Sequence, residues 1–190
     1  MHLAKENEFT ERFWGRIPLQ SGAALYFFQR RSPLQRALHQ LKYHRQAHLG
    51  IQLGRLLGGQ LRQSPLFQAV EAIIPVPLHP DKEKMRGYNQ SAMIARGVSE
   101  AMNVPVLEGV LVRRRHTESQ TRKRRLERFK NVAESFVLAK PQAITGKHIL
   151  LVDDVLTTGA TLEACGRALF AAPIARLSMA TVAIAMSKIH

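Results

Sequence analysis

At 190 residues, with 45% hydrophobic and 22% charged content, the chain has the size and composition of one globular domain with a buried core. No apolar run reaches the length of a membrane span, and no basic stretch followed by an apolar core opens the sequence, so a cytoplasmic location is expected. A single cysteine excludes an intramolecular disulfide, while 28 Lys and Arg against 14 Asp and Glu give a net charge of +14 that favours anionic partners.

Residues 1–31 carry Phe9, Phe13, Trp14, Tyr26, Phe27 and Phe28 without a clear periodicity, and are read as a small N-terminal flank or hood over a domain formed by residues 32–190. Ser32-Pro33 is a helix start, with Ser as N-cap and Pro at the first helical position, and Leu34, Ala37, Leu38 and Leu41 then repeat on one face. A pause at Tyr43 to Gln46 precedes a second amphipathic stretch through Leu49, Leu53, Leu56 and Leu57, which fades at Gly58-Gly59 and ends before Ser64-Pro65. Residues 72–76 read as a short buried strand, and Pro75-Val-Pro-Leu-His-Pro80 as a stiff loop followed by Lys82, Lys84, Arg86 and Gly87. A helix is predicted from about Asn89 to Met102, and two short strands at residues 110–112 and 135–138 flank a basic block. The last unit is a strand over residues 148–152, a helix over 160–171 and a strand over 177–185. Strands alternating with helices at this spacing predict an α/β fold with a mostly parallel sheet flanked by helices.

Chemistry concentrates in Ile149 to Thr161. The apolar run Ile149 to Val152 leads into Asp153 and Asp154, expected at the carboxyl end of a buried strand, where open α/β sheets bind ligands. Ionised carboxylates only accept hydrogen bonds, which suits the vicinal hydroxyls of a ribose. Gly159 permits a tight backbone, Thr157, Thr158 and Thr161 offer hydroxyls, and the helix starting near Ala160 directs free N–H groups at an anion, so the turn suits a phosphate. A plain helix cap needs one such residue and this turn carries several. A receiver domain would need more βα units than the remaining residues allow, and no Lys follows the glycine as a Walker A loop requires. The loop over residues 75–90, with Lys82, Lys84 and Arg86, follows an inner strand and is expected to meet a pyrophosphate at the same edge. Between Arg113 and Lys130 stand nine basic residues against Glu118 and Glu127. Composition leaves three readings open for them: a nucleic-acid footprint, an arm that closes on a polyphosphate, or a solvated helix face. His44 and His48 are spaced i, i+4 but lack a third metal ligand nearby, and Cys165 reads as a small core residue.

Taken together, Leu41-Lys42-Tyr43, Pro75 to Pro80, Arg86-Gly-Tyr-Asn-Gln90, Gln120-Thr121 with Arg128 and Asn131, and Leu151 to Thr161 resemble the ComF family of type I phosphoribosyltransferase-like proteins, over about residues 25–185. The resemblance implies the type I phosphoribosyltransferase fold and a site for phosphoribosyl pyrophosphate (PRPP). Asp153 and Asp154 are then the catalytic acidic pair and hold Mg²⁺ directly, through water or through the ribose. Val155, Leu156, Thr157, Thr158, Gly159, Ala160 and Thr161 would bind the 5-phosphate, with Val76, Pro77, Leu78, Arg86, Arg124 and Arg128 on the pyrophosphate. The implied reaction transfers ribose 5-phosphate to an unidentified nucleophile. The other reading is a non-catalytic PRPP or nucleotide sensor, or a DNA-binding accessory protein that retains the fold. Competence, DNA uptake or use, and single-stranded DNA are the partners the resemblance implies, with a homodimer as one open oligomeric state. Members of this family usually carry an N-terminal zinc ribbon of two Cys-x-x-Cys pairs. This sequence has one cysteine and departs from that pattern, so no structural zinc of that kind is expected.

Overall fold

The structure is a computed structural model and describes residues 6–114 and 135–186. Its centre is a four-stranded sheet of β1 (Ser21–Phe28), β2 (Ala72–Pro75), β5 (His148–Leu156) and β6 (Arg176–Ala185), in the order β1-β6-β5-β2 with every pair parallel. The helices are α1 (Glu8–Glu11), α2 (Pro33–Tyr43), α3 (Ala47–Arg62), α4 (Pro80–Arg86), α5 (Gln90–Met102) and α6 (Ala160–Leu169). A two-stranded antiparallel ribbon, β3 (Leu111–Arg113) with β4 (Phe136–Leu138), completes the elements, with a 3₁₀ turn at Pro141–Ala143.

The strand alternation of β5 builds both halves of the core. Ile149 and Leu151 enter one apolar cluster with Leu162, Cys165 and Leu169 of α6 and with Phe9 and Phe13, while Leu150 and Val152 enter the other with Leu57, Leu61, Ile94 and Val98 of α3 and α5. The apolar run in β5 is continuous because both faces are covered. Burial also lifts the Cys165 thiol well above its ordinary range, in keeping with a core role. At the opposite end of β5 a buried polar chain joins three strands: His148 Nε2 lies 2.8 Å from Ser178 Oγ, which lies 2.7 Å from Ser21 Oγ.

Four elements differ from expectation. Residues 21–28, taken as flank or hood, form an edge strand of the main sheet, since Ser21 to Phe28 pair with Ser178 to Ala185 of β6. Gly-Ala-Ala-Leu carries little strand signal alone, and the β6 partner supplies the hydrogen bonds. The second amphipathic stretch ends before Ser64-Pro65 as expected, but it does not fade at Gly58-Gly59: the helix runs on to Arg62, because Gly50, Gly54 and Gly58 let α3 lie directly on α5. The stretch after the Pro-rich loop closes into α4, with Pro80 at its first position and the His79 ring accepting from Asp81 N. Finally, β5 runs to Leu156 and not to residue 152. Among the described residues no helix is long and apolar enough to cross a membrane.

Candidate functional site

The extra length of β5 shapes the site. On one side it stays paired to β6, with Asp153 opposite Thr181 and Leu156 opposite Ile184. On the other side β2 ends at Pro75 opposite Val152, and the last backbone bond is from Val76 N to Val152 O at 2.9 Å. Asp153 is therefore the first residue of β5 beyond β2, and the sheet opens beside it. The acidic pair lies inside a strand, not at its tip, and the two side chains leave on opposite faces. Asp153 Oδ1 accepts a hydrogen bond from Ser91 Oγ at 2.7 Å, in the first turn of α5, and one from Asp154 N at 2.8 Å. Asp154 forms an ion pair with Lys42 Nζ of α2. Burial, and then the neighbouring Asp154 charge, push the Asp153 carboxyl up to about 7 against the hydrogen bond from Ser91.

After β5 the chain turns through Thr157, Thr158 and Gly159 into α6. Gly159 caps that helix at φ 83° and has no side chain to bond its amides; Ala160 N makes a long 3.4 Å bond to Thr158 Oγ1 at the same turn. A cavity of about 50 Å³ lies in the turn, walled by Asp153, Val155 to Thr161 and Leu162, which puts the carboxylate and the amides around one small space. The back of the turn is held from the N-terminal segment. Arg12 donates to the carbonyls of Thr157 and Ala185, and Arg16 donates to Thr158 O at 3.3 Å and pairs with Glu163. Carbonyl oxygens that would repel an anion are thus turned toward guanidinium groups. The Phe13 ring closes on Gly159, where a β-carbon would sit 3.2 Å from it. In Gly159→Ala the positive φ and this contact act together, and a loss of about 1–2 kcal/mol is expected, lowering Tm by roughly 2–8 °C. Thermal unfolding followed by circular dichroism measures this; an unchanged Tm would show that the turn tolerates a side chain.

The Pro-rich loop reaches the site as expected for Val76, whose amide bonds β5 and whose carbonyl accepts from Asn89 Nδ2 at 2.9 Å. Pro77 and Leu78 line a separate cavity of about 220 Å³ with Asn89, Leu111 and Arg113. Arg86 does not stand open to solvent. It is 8% exposed, donates from Nη1 to Gln90 Oε1, lies with its guanidinium carbon 5.8 Å from the Tyr43 ring centre, and keeps an Nε without a hydrogen-bond partner among the described residues. Arg86 to Ser91 act as a bracket: Tyr88 Oη donates to Leu41 O in α2, Asn89 holds the Pro-rich loop, and Ser91 holds Asp153. Arg124 and Arg128 lie outside the described residues.

Among the described residues no group of three or more His, Cys, Asp and Glu is placed to hold a metal, so His44 and His48 belong to none. Two carboxylates, Asp153 and Asp154, are too few to cage an ion. They fit one that keeps water and takes further oxygens from a phosphorylated ligand, as Mg²⁺ does.

The family described as phosphoribosyl transferase domain matches residues 89–189, more than half of the chain. Competence protein F of Haemophilus influenzae is 33% identical over 135 residues, covering 69% of this chain and 59% of that protein. DNA utilization protein YhgH of Escherichia coli K12 is 32% identical over 133 residues, covering 68% and 58%, and competence protein ComFC of Bacillus subtilis is 32% identical over 97 residues, covering 51% and 37%. The chain belongs to the ComF family, within the type I phosphoribosyltransferase superfamily. It spans less than two thirds of the length of each of these relatives. Among solved structures, adenine phosphoribosyl transferase from Trypanosoma brucei is 11% identical with a TM-score of 0.46, over 85% of this chain and 84% of that one. A hypoxanthine phosphoribosyltransferase from Staphylococcus aureus is 17% identical with a TM-score of 0.41, over 70% and 61%.

Three side chains that this ComF chain places at the site are absent from the site residues read from its sequence. Lys42, Arg12 and Arg16 come from segments far from the acidic strand in sequence. A partial signal existed for the arginines, because Phe9, Phe13 and Ile17 are all buried at intervals of four residues, which puts Arg12 and Arg16 on a neighbouring face of that stretch.

Proposed function

We propose that this chain binds PRPP with Mg²⁺ and transfers its ribose 5-phosphate to a nucleophile, with release of pyrophosphate. The observation that carries the reading is the buried acidic pair where β5 runs beyond β2, of which Asp153 shares one small cavity with a helix-capping turn suited to a phosphate. In this reading the turn at Thr157 to Thr161 holds the 5-phosphate, and Asp153 and Asp154 hold the ribose hydroxyls and the metal shell. Val76, whose amide bonds Val152 beside the acidic pair, is assigned to the pyrophosphate together with Arg124 and Arg128, while Arg86, held on Gln90 and Tyr43, braces this edge and Pro77 and Leu78 face the separate cavity. Mg²⁺ would neutralise charge on the diphosphate as it leaves. Loss of pyrophosphate builds positive charge on the ribose ring, so the protein contributes by holding the ring between carboxylates and orienting it, and needs no nucleophile of its own. Lys42, paired with Asp154, places a cation beside the acidic pair, where it favours an anionic ligand.

A second reading is a non-catalytic PRPP or nucleotide sensor, or a DNA-binding accessory protein. The relatives' names, competence protein and DNA utilization protein, favour it, as does the +14 charge. The deciding experiment incubates the protein with PRPP, Mg²⁺ and a panel of bases and amines and measures released pyrophosphate. Release that depends on one acceptor is the expected result. PRPP binding without release for any acceptor would support the sensor. Salt-dependent binding to single-stranded DNA that persists in saturating PRPP would support the accessory role.

A further inference from the structure

The N-terminal segment carries two guanidinium groups to the back of the Thr157 to Gly159 turn, and the packing of that segment fixes where they reach. Asn7 caps α1 and donates from Nδ2 to Gly22 O of β1 at 2.9 Å, while Phe9 and Phe13 are buried in the core with their ring centres 5.7 Å apart. Arg16 donates from Nη1 to Arg12 O at 2.7 Å, which ties the two arginines together. From this base Arg12 reaches the carbonyl oxygen of Thr157, and Arg16 that of Thr158. Both peptides that follow are trans. A trans peptide is planar, with its N–H pointing away from its C=O, so a carbonyl drawn toward an arginine turns the next residue's N–H the other way. The amides of Thr158 and Gly159 are thereby aimed away from the guanidinium groups. The small cavity of the turn is walled by Asp153 and residues 155–162, with both arginines outside that wall. A guanidinium on the carbonyl also polarises the peptide and makes its N–H the stronger donor.

We infer that Arg12 and Arg16 are positioning residues for the phosphate monoester of the ligand, which they never touch: through the carbonyls of Thr157 and Thr158 they preset the Thr158 and Gly159 amides as its donors. This rests on the phosphoribosyl reading of the Asp153 and Asp154 site. The peptide between Thr158 and Gly159 borders a glycine, whose backbone turns over with little steric resistance, so this plane gains most from being held. Donors already oriented lose little freedom when the anion arrives. Arg16 has a second effect that can be separated from the first. Glu163 stands in the first turn of α6, where its charge competes with an anion for the helix end, and Arg16 and Arg167 both pair with it. Arg16 therefore both cancels a carboxylate and holds a carbonyl, and the positioning role belongs to the carbonyl.

Calorimetric titration with ribose 5-phosphate tests the inference without turnover. Arg12→Ala and Arg16→Ala are each expected to weaken binding about tenfold, the size of a lost hydrogen bond from a charged group. Glu163→Gln leaves Arg16 on Thr158 O and is expected to bind at least as tightly as the unchanged protein. In the double variant Arg16→Ala, Glu163→Gln the tenfold loss persists if the carbonyl is what matters. Recovery of the unchanged affinity in that double variant would show Arg16 acting only on the Glu163 charge, and would overturn its positioning role. Unchanged affinity in both single arginine variants would overturn the inference and leave the phosphoribosyl site standing, whereas no binding of ribose 5-phosphate to the unchanged protein would overturn both. Thermal unfolding of each variant accompanies the titration. Arg12 also holds the carbonyl of Ala185 at the end of β6, so if Arg12→Ala does not fold the Arg16 variants decide, that side chain being 35% exposed.

Discussion

Replacing Asp153 and Asp154 together by asparagine is expected to lower the affinity for PRPP with Mg²⁺ by about a hundredfold or more, since each loses a charge-assisted interaction of about 1.5–3 kcal/mol. The fold should survive, because both residues are buried with partners that an amide can still meet: Ser91 Oγ and the Asp154 amide for the first, and a Lys42 side chain free to reach solvent for the second. Isothermal titration calorimetry gives the affinity, and an unchanged value would remove the acidic pair from the binding site. The pH dependence carries a sign of its own. With the Asp153 carboxyl raised from 3.8 to about 7, the folded chain alone keeps this proton between those values. Its contribution to stability is therefore full below pH 3.8 and is lost as the pH rises through about 7. A ligand that needs the ionised carboxylate binds more tightly over the same rise and displaces a proton. Affinity for PRPP with Mg²⁺ should thus increase between pH 6 and pH 8, both values chosen to bracket the shifted carboxyl near 7, and flatten in Asp153→Asn.

The second large effect is on folding. Gly54→Ala should cost about 3 kcal/mol or more and lower Tm by roughly 6–12 °C. A β-carbon on Gly54 would lie 2.1 Å from the carbonyl oxygen of Ile94 and 3.0 Å from the α-carbon of Gly97, and one on Gly97 would lie 2.1 Å from the carbonyl oxygen of Ile51. These contacts are backbone against backbone, so no side chain can rotate away, and α3 and α5 must part. Gly59 provides the internal contrast, for a β-carbon there meets nothing within 4 Å. Gly59→Ala should leave stability unchanged or raise it by up to about 1 kcal/mol through helix propensity. Equal thermal unfolding curves for the two variants would refute the close helix contact. The consequence reaches the site, because α5 carries Ser91 to Asp153 and α2 carries Lys42 to Asp154 on the face that α3 supports.

The β5, turn and α6 unit was legible because its information is local. A run of four apolar residues, two carboxylates and a Thr-Gly turn lie within Ile149 to Thr161, and the same residues form the buried strand, the open side and the helix cap. The bracket from Arg86 to Gln90 was legible as a motif, but not its direction. From sequence Arg86 looked like a free cation for pyrophosphate, whereas its buried position against Gln90 and Tyr43 depends on how α4 and α2 meet.

What the sequence by itself determined is the class of fold and the kind of group the acidic strand and its turn can hold, since strand burial, carboxylate chemistry and glycine geometry act over a few neighbouring residues. Only the tertiary structure decided where the strand opens, which cation answers Asp154, and what stands behind the turn. Arg12 reaches the carbonyl of Thr157 across 145 positions, and β1 becomes a strand because β6 lies beside it. Such contacts draw their energy from partners that no local window contains, so they appear only once the chain has folded around its core.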